Sequence, residues 1–118
     1  MTRRIVLDCD PGHDDAVAIL LAAGCREVEL GAITVVAGNQ ILPKTALNAR
    51  RVCTVAGIRD VPIAAGCDRP LVRELRWAED IHGESGLDGP SFPEPDVELD
   101  PRHGVSVLID EAGRRTAT

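Results

Sequence analysis

The sequence predicts one α/β domain, built on an open, mostly parallel sheet with flanking helices. Apolar runs of strand length alternate with helical patterns in the order strand, helix, strand, helix, strand, which is typical of parallel α/β folds. The strand-like runs are apolar almost without interruption, as expected for a sheet that is covered on both faces. A chain of 118 residues is long enough for one such domain and too short for two.

The first predicted strand and helix flank a short turn. Residues 4–10, RIVLDCD, are β-branched and apolar and predict a strand. Residues 14–24 predict a helix that begins with Asp14 and Asp15, where the helix dipole favours acids, and that ends near Gly24. Because this helix is apolar nearly all round, we expect it to be buried against the sheet.

The alternating pattern continues through the next three elements. Residues 28–39 predict a second strand, residues 42–58 a second helix, and residues 61–66 a short third strand. We expect the second helix to turn its basic side chains, Lys44, Arg50 and Arg51, outward and its apolar stripe toward the core: Leu42, Ala46, Ala49, Cys53 and Ala56.

The regular pattern stops after Gly66. Residues 67–100 are rich in proline, glycine and acids, and we expect them to form one long loop of the kind that often serves function. A helix is predicted again over residues 101–115. Because three strands make a thin parallel sheet, we interpret residues 1–118 as a single N-terminal part of a larger α/β domain.

Composition and charge exclude several classes of partner. The net charge of −6 opposes binding to a phosphate backbone, and an aromatic content of 2% leaves few side chains for base stacking, so we expect no nucleic-acid partner. No apolar run is long enough to span a bilayer and no signal peptide is visible, so we expect a cytoplasmic protein without a membrane partner. No cysteine pair is spaced as CxxC, and we expect free thiols, with Cys9 and Cys53 in the core.

Four aspartates lie within eight positions between the first strand and the first helix: Asp8, Asp10, Asp14 and Asp15. Asn39 ends the second predicted strand, and the carboxyl ends of parallel strands form the ligand-binding edge of an open α/β sheet. Carboxylates gathered at one edge need a cation or protons to be stable. Such oxygen-rich clusters favour hard divalent cations such as calcium, and Gly12 permits a tight turn that brings Asp10 and Asp15 onto one ion.

Part of this cluster has a simpler interpretation. An aspartate in the first turn of a helix often only caps it, and this alternative stays open for Asp14 and Asp15 taken singly. It does not explain Asp8 and Asp10, whose side chains share one face of a strand. A cation lowers the pKa of its water and a neighbouring carboxylate accepts the proton, so the cluster favours a hydrolytic site.

Three segments resemble a known family in order and spacing. The motif DCDPGHDDAVAILLA, followed by TVVAGN and by HGESGLDGP, resembles the N-terminal signature of the nucleoside hydrolases, the inosine-uridine-preferring type included. The resemblance covers the whole chain but only the first part of a family member. It implies an open, mostly parallel α/β sheet and calcium-dependent hydrolysis of the N-glycosidic bond of a ribonucleoside, with free base and ribose as products.

The resemblance also implies roles for six residues. Asp10 would be both a calcium ligand and the base that activates water, and Asp15 would be a second calcium ligand. Asp8 would orient these two ligands without binding the calcium itself. Asp14 and Asn39 would hold ribose hydroxyls, which helps to place the sugar for an oxocarbenium-like transition state. His82, in the long loop, would lie near the nucleobase.

Interpretations without a functional role stay open for three residues outside the carboxylate cluster. His82 is equally explained as an exposed loop histidine, and Asn39 as a turn former, since Gly-Asn favours turns. His13, inside the motif, is better explained as a turn residue than as a catalyst.

Two other functions compete with the nucleoside hydrolase. A haloacid-dehalogenase-type phosphohydrolase also carries DxD after its first strand, although here Pro11 and Gly12 follow directly and a second aspartate pair opens the helix. The other alternative is a truncated, non-catalytic remnant, because the family takes its remaining calcium ligands and its leaving-group acid from later in the chain. We therefore expect the 118 residues alone to be prone to aggregation and inactive. The oligomeric state, a homo-oligomer included, stays open.

Overall fold

The computed structural model describes residues 2–77 and 83–114. Within them strands and helices alternate as the sequence predicts, and a helix follows the long loop. The elements are β1 (Arg3–Cys9), α1 (His13–Gly24), β2 (Val28–Val35), α2 (Leu42–Ala56), β3 (Ile63–Ala65) and α3 (Gly104–Arg114). The predicted α/β class with a parallel sheet and flanking helices is confirmed.

The three strands form one parallel sheet in the order β1-β2-β3. Cys9 pairs with Val35, and Val35 pairs with Ala65, so the last residues of all three strands lie side by side. The backbone continues this alignment, because the amide of Val36 donates to the carbonyl of Cys9 at 2.9 Å. The residues that directly follow β1 and β2 therefore lie together at one edge of the sheet.

The sheet is covered on both faces. On one face, buried side chains of the strands pack against α1 and α2, with Ile19, Ile33, Val52 and Cys53 among the members of this cluster. On the other face a smaller cluster joins Ala32 and Ala64 to Val107 of α3. Successive residues of a strand point to opposite faces, which is why Ala32 and Ile33 belong to different clusters.

Helix α1 is less buried than its composition predicts. Ile19 is its one fully buried residue, whereas Val17 is 63% exposed and Leu21 is 71% exposed. The predicted burial of α1 against the sheet therefore holds for the side that carries Ile19, and the rest of the helix is exposed. The helix has apolar side chains on more than one side, but within the described residues it packs against α2 and the sheet on one side only. Ala56, predicted to join the core stripe of α2, is exposed at the end of that helix.

Strand β2 ends four residues earlier than predicted. It stops at Val35, and the segment 36–39 leaves the sheet although its first residues are apolar. The amide of Ala37 donates to the carbonyl of Cys67 at 3.1 Å, and the amide of Gly38 donates to the carbonyl of Gln40 at 3.0 Å. These bonds replace the strand ladder with a turn that points Asn39 at the end of β1.

The long segment after β3 has no helix or strand in its described parts, 67–77 and 83–100. It is nevertheless attached to the domain, because Leu87 is buried in the main core cluster and Phe92, Val97 and Leu99 pack against it. The extent of the loop over residues 67–100 and of the domain over residues 1–118 stays a prediction. Among the described helices, none is long and apolar enough to cross a membrane.

All four cysteines are free thiols, as predicted. Cys9 and Cys53 are buried in the core, whereas Cys67 is exposed. Burial raises the pKa of Cys53 to about 11. Burial also raises the pKa of Cys9, and the negative charges of Asp15, Asp8 and Asp10 raise it further. Both core thiols therefore stay protonated at neutral pH.

Candidate active site at the strand ends

Asp10 leaves β1 and enters a turn that returns it to Asp15. Pro11 and Gly12 are buried, and α1 begins at His13, directly after them. The amide of Asp10 donates to Oδ2 of Asp15 at 2.9 Å, and the carboxyl group of Asp15 raises the pKa of Asp10. The turn over residues 10–15, called here the acidic turn, therefore places two carboxylates side by side, as the sequence predicts.

Asn39 holds Asp10 from the neighbouring strand. Its backbone amide donates to Oδ2 of Asp10 at 2.8 Å, and its side-chain Nδ2 donates to the carbonyl oxygen of Asp10, also at 2.8 Å. Because β1 and β2 are adjacent and parallel, these two bonds join the ends of both strands. The predicted convergence of Asn39 on the acidic cluster is present in the structure.

Gly38 makes the room that Asp10 occupies. A Cβ atom built on Gly38 would overlap Oδ2 of Asp10 and would lie 2.9 Å from its Cγ. Only glycine permits this close approach of backbone to carboxylate. The sequence signal for it is the glycine of VAGN, where the Gly-Asn pair by itself indicates only a turn.

The charge balance at the acidic turn is unfavourable without a further group. Burial raises the pKa of Asp10, while the amide of Asn39 lowers it. The hydrogen bond with Asp15 and the negative charges of Asp15 and Asp14 raise it again. A partly buried carboxylate with carboxylate neighbours is stabilised either by a proton or by a cation.

The donor set fits part of a hard-cation site. Asp10 and Asp15 offer carboxylate oxygens only. Calcium prefers such oxygen ligands, whereas zinc prefers nitrogen and sulfur ligands. Within residues 2–77 and 83–114, no third His, Cys, Asp or Glu side chain completes a metal-binding group with them. Since calcium takes roughly 6–8 oxygens, these two residues would supply only a share of its ligands.

The other predicted site residues lie at different distances from this centre. Asp14 is exposed in the first turn of α1, and its charge acts on Asp10. Asp8 is exposed near the end of β1, and its Oδ1 accepts a hydrogen bond from Oγ1 of Thr34 at 2.6 Å, which ties it to β2. His82 lies outside the described residues. None of the six proposed roles is tested by these positions.

A cleft of about 720 Å³ opens between the segment that follows β2 and the segment that follows β3. Ala37 and Gly38 form one wall, and the opposite wall comes from the segment that follows β3, with Pro70, Leu75 and Arg76 among its residues. Gly38, which contacts the Asp10 carboxylate, is the link between the cleft and the acidic turn, whose own residues do not line the cleft. Its volume falls in the range of small-ligand sites in proteins.

Residues 83–88 are bonded to polar side chains on and before α2, and the sequence did not predict this attachment. Gln40 Nε2 and Lys44 Nζ each donate to the carbonyl of Glu84 at 2.7 Å, and Asn48 Nδ2 donates to the carbonyl of Ser85 at 2.7 Å. Gln40 and Asn48 are fully buried. The available signal was a polar residue between Ala46 and Ala49, at the core-facing side of an amphipathic helix.

The match to known proteins covers nearly the whole chain. A sequence model of the inosine-uridine preferring nucleoside hydrolase family matches residues 5–118. This chain belongs to that family. The inosine-uridine preferring nucleoside hydrolase of Leishmania major is 59% identical over 111 residues, which are 93% of this chain and 35% of the relative. The pyrimidine-specific ribonucleoside hydrolase RihA of Photobacterium profundum is 50% identical over 108 residues, 92% of this chain and 35% of the relative.

Solved structures of nucleoside hydrolases show the same fold. A purine-preferring ribonucleoside hydrolase from Gardnerella vaginalis matches with a TM-score of 0.88 at 26% identity, over 96% of this chain and 37% of that one. A plant nucleoside hydrolase matches with a TM-score of 0.85 at 30% identity, over 97% and 36% respectively. The chain thus spans about a third of the length of these relatives. The alternative of a haloacid-dehalogenase-type phosphohydrolase is not supported.

Proposed function

We propose that this nucleoside hydrolase chain contributes the acidic turn of a calcium-dependent site that hydrolyses the N-glycosidic bond of ribonucleosides to free base and ribose. The observation that carries the proposal is the pairing of Asp10 with Asp15 at the strand ends, with Asn39 bonded to Asp10. Membership of the family supports the reaction class, since relatives of this chain are named as ribonucleoside hydrolases. A cytoplasmic location belongs to the same proposal.

Asp10 and Asp15 would hold the cation. Calcium, when bound, supplies positive charge that offsets the two carboxylates and orients the sugar hydroxyls. Asp14, exposed at the start of α1, and Asn39 are placed beside Asp10 and would bind those hydroxyls. Asn39 uses its backbone amide and one side-chain N–H on Asp10, and its Oδ1 is an acceptor that suits a hydroxyl donor.

Asp10 would act as the general base. A water oxygen forms a bond to the anomeric carbon of ribose while its proton passes to the Asp10 carboxylate. The N-glycosidic bond breaks and its electron pair leaves with the base, through a transition state of oxocarbenium character. Asn39 and Gly38 serve this step by fixing the carboxylate, because one donates to Oδ2 and the other leaves space for it. His82 would lie near the departing base.

The nucleobase preference is not carried over from the relatives. Similar proteins are named for inosine and uridine, for pyrimidines and for purines. The proposal therefore names ribonucleosides as a class, and inosine and uridine serve as the two test substrates.

Release of free base from inosine and uridine tests the proposal. The assay compares the 118-residue chain with a fusion that adds the remaining part of the Leishmania major relative after Thr118, each with calcium and with a chelator. We expect the fusion to release base only with calcium, and the 118 residues alone to stay at background. A folded fusion without turnover contradicts the proposed function. Turnover by the 118 residues alone would show that another subunit or unrecognised residues complete the site.

A further inference from the structure

Asn48 connects two segments that are far apart in the sequence. It lies on α2 with no exposed surface, and its Nδ2 donates to the carbonyl of Pro11 at 3.1 Å and to the carbonyl of Ser85 at 2.7 Å. Pro11 belongs to the acidic turn, and Ser85 belongs to the segment 83–88. One buried amide group therefore holds both segments through their backbones.

The segment 83–88, called here the 83–88 loop, has an internal framework of its own. Oδ1 of Asp88 accepts from the amide and hydroxyl of Ser85 at 3.2 and 2.6 Å, and Oδ2 accepts from the amide of Glu84 at 3.1 Å. The hydrogen bond from the Ser85 hydroxyl is the largest cause that lowers the pKa of Asp88. Leu87 anchors the loop in the core. The loop is thus braced by its own hydrogen bonds, and Asn48 bonds it to the turn.

Gly86 shows how closely Asn48 fits. Its φ of +87° is a conformation that L residues rarely adopt, and a Cβ there would lie 2.8 Å from Nδ2 of Asn48. The amide of Asn48 occupies the space that a side chain at position 86 would need. Any larger residue at this position would push Asn48 away from one or both of its carbonyl partners.

Other contacts between the two segments are more exposed. Nε2 of His13 lies 2.8 Å from the carbonyl of Asp88, in an exposed position. The bond from Lys44 to Glu84 is also exposed, and it joins the loop to α2 and not to the acidic turn. A buried carbonyl that loses its donor costs more than a solvent-exposed one, because water cannot replace the bond. Loss of the Asn48 hydrogen bonds should therefore destabilise the link between the two segments more than loss of the exposed contact would.

We propose that Asn48 is a positioning residue that couples the acidic turn to the 83–88 loop. This inference rests on the proposed function for its consequence, which is that a cation at Asp10 and Asp15 stabilises the loop that directly follows His82. Coupling between two sites is reciprocal, so order in the loop also strengthens cation binding at the turn. The nucleobase end of the site would then be preformed when the ribose end is occupied.

The test uses hydrogen exchange on the fusion that serves the activity assay, with and without calcium. Asn48→Asp keeps the size of the side chain but replaces Nδ2, the atom that donates both hydrogen bonds, with an oxygen that faces two carbonyls. Gly86→Ala displaces the Asn48 amide without changing it. Thr54→Val is the matched control, because Thr54 also lies on α2 and accepts a hydrogen bond from the loop amide of Asp96 at 3.0 Å, away from the acidic turn.

We expect Asn48→Asp to lower the protection of the Gly86 and Leu87 amides roughly 10-fold or more, the effect of a lost buried hydrogen bond. The amide of Asp10 should lose protection with them, and so should the amide of Ala16, which donates to the carbonyl of Gly12 in the acidic turn. Gly86→Ala should lower loop protection similarly, and Thr54→Val should leave both sets within about twofold, the range of ordinary surface changes. Calcium should raise loop protection roughly fivefold or more in the parent and in Thr54→Val, and not in Asn48→Asp.

Two results separate this inference from the proposed function. If calorimetry shows that the parent chain does not bind calcium, the metal assignment fails, and the calcium-free comparison still decides the role of Asn48. If the loop and turn amides of Asn48→Asp exchange as in the parent, the coupling through Asn48 is overturned whether or not calcium binds. Loss of protection in the loop alone, with the turn unchanged, overturns it as well.

Discussion

Asn39 contacts Asp10 at both ends of that residue. Its backbone amide donates to the carboxylate and its side chain donates to the backbone carbonyl, each at 2.8 Å. Two bonds from one residue fix the side chain and the backbone of Asp10 together. Since Asn39 follows β2 and Asp10 follows β1, the sheet itself sets the position of the proposed base before any ligand arrives.

Replacement of Asp10 tests its two proposed roles separately. In the fusion, Asp10→Asn keeps the shape and one oxygen but removes the basicity, so we expect single-turnover ribose release to fall at least ~100-fold, the low end for loss of a general base. Asp10→Ala should abolish measurable calcium binding by calorimetry, because a ligand of the proposed site is gone. Asp60→Asn, an exposed acid before β3, is the control and should leave both quantities unchanged. A rate within a few-fold of the parent would exclude Asp10 as the base.

Gly38→Ala should act on the site without replacing any polar side chain. The new methyl would overlap Oδ2 of Asp10, so the carboxylate must move. A displacement of about 1 Å at a reacting group costs roughly 100-fold in rate, and we expect a loss of that order in base release by the fusion. Gly24→Ala is the matched control, since no atom lies within 4 Å of its added Cβ. Equal activity of the two variants would mean that Asp10 does not need its present position.

The sequence predicted what depends on local pattern and on strand adjacency. The class of fold and most element boundaries follow from periodicity, and the pairing of Asp10 with Asp15 follows from a tight turn at a strand end. The early end of β2 could not be predicted, because the bond from Ala37 to the carbonyl of Cys67 joins residues that only the folded chain brings together. Asn48 was missed for the same reason: both of its carbonyl partners lie 37 positions away in the sequence.

The exposure of α1 could not be predicted from its composition. A helix that is apolar nearly all round indicates burial, but it does not state which neighbours provide it. Val17 and Leu21 face away from α2 and the sheet and remain exposed, while Ile19 is fully buried. The hydrophobic pattern of a helix describes its own surface, and the layers that cover it come from elsewhere in the chain.

Removal of the exposed apolar residues of α1 should reduce self-association. Exposed apolar patches promote association, so we expect the 118-residue chain to form aggregates at micromolar concentration. Val17→Gln together with Leu21→Gln should shift it toward monomer in size-exclusion chromatography with light scattering. The control replaces Leu71 and Val72, which are almost fully exposed in the loop after β3 and not on α1, with glutamine. Equal shifts in both variants would show that general surface polarity, and not α1, controls association.

Acid should weaken the attachment of α3 to β1. Arg4 Nε donates to Oε2 of Glu111 at 2.9 Å, with the side chains 25% and 9% exposed, and this hydrogen bond lowers the pKa of Glu111. A carboxylate with a lowered folded-state pKa stabilises the protein fully above its unfolded pKa, and the contribution is lost as pH falls through the folded value. We expect Glu111→Gln to reduce the free energy of unfolding by about 1 kcal/mol at pH 7, with the difference disappearing once the pH falls below the lowered folded-state pKa of Glu111.

Urea denaturation at several pH values measures this effect. Glu98→Gln is the control, because Glu98 is 87% exposed and lies 3.6 Å from its partner Arg50. Its removal should change little at any pH, as expected for an exposed ion pair. A Glu111→Gln variant that is as stable as the parent at neutral pH would contradict the contribution assigned to this pair.

The distribution of thiols gives the protein a natural point for chemical labelling. Cys9 and Cys53 are buried and held protonated by raised pKa values, so electrophilic dyes should spare them at neutral pH. Cys67 is exposed, and its carbonyl binds the amide of Ala37, two positions before Asn39. Cys25, the half-buried fourth thiol, would first be changed to serine. A fluorophore on Cys67 would then lie beside the segment 36–39, whose Asn39 is hydrogen-bonded to Asp10. Its emission would then report occupancy of the cleft lined by Ala37 and Gly38 in real time, without a coupled enzyme or a radioactive nucleoside.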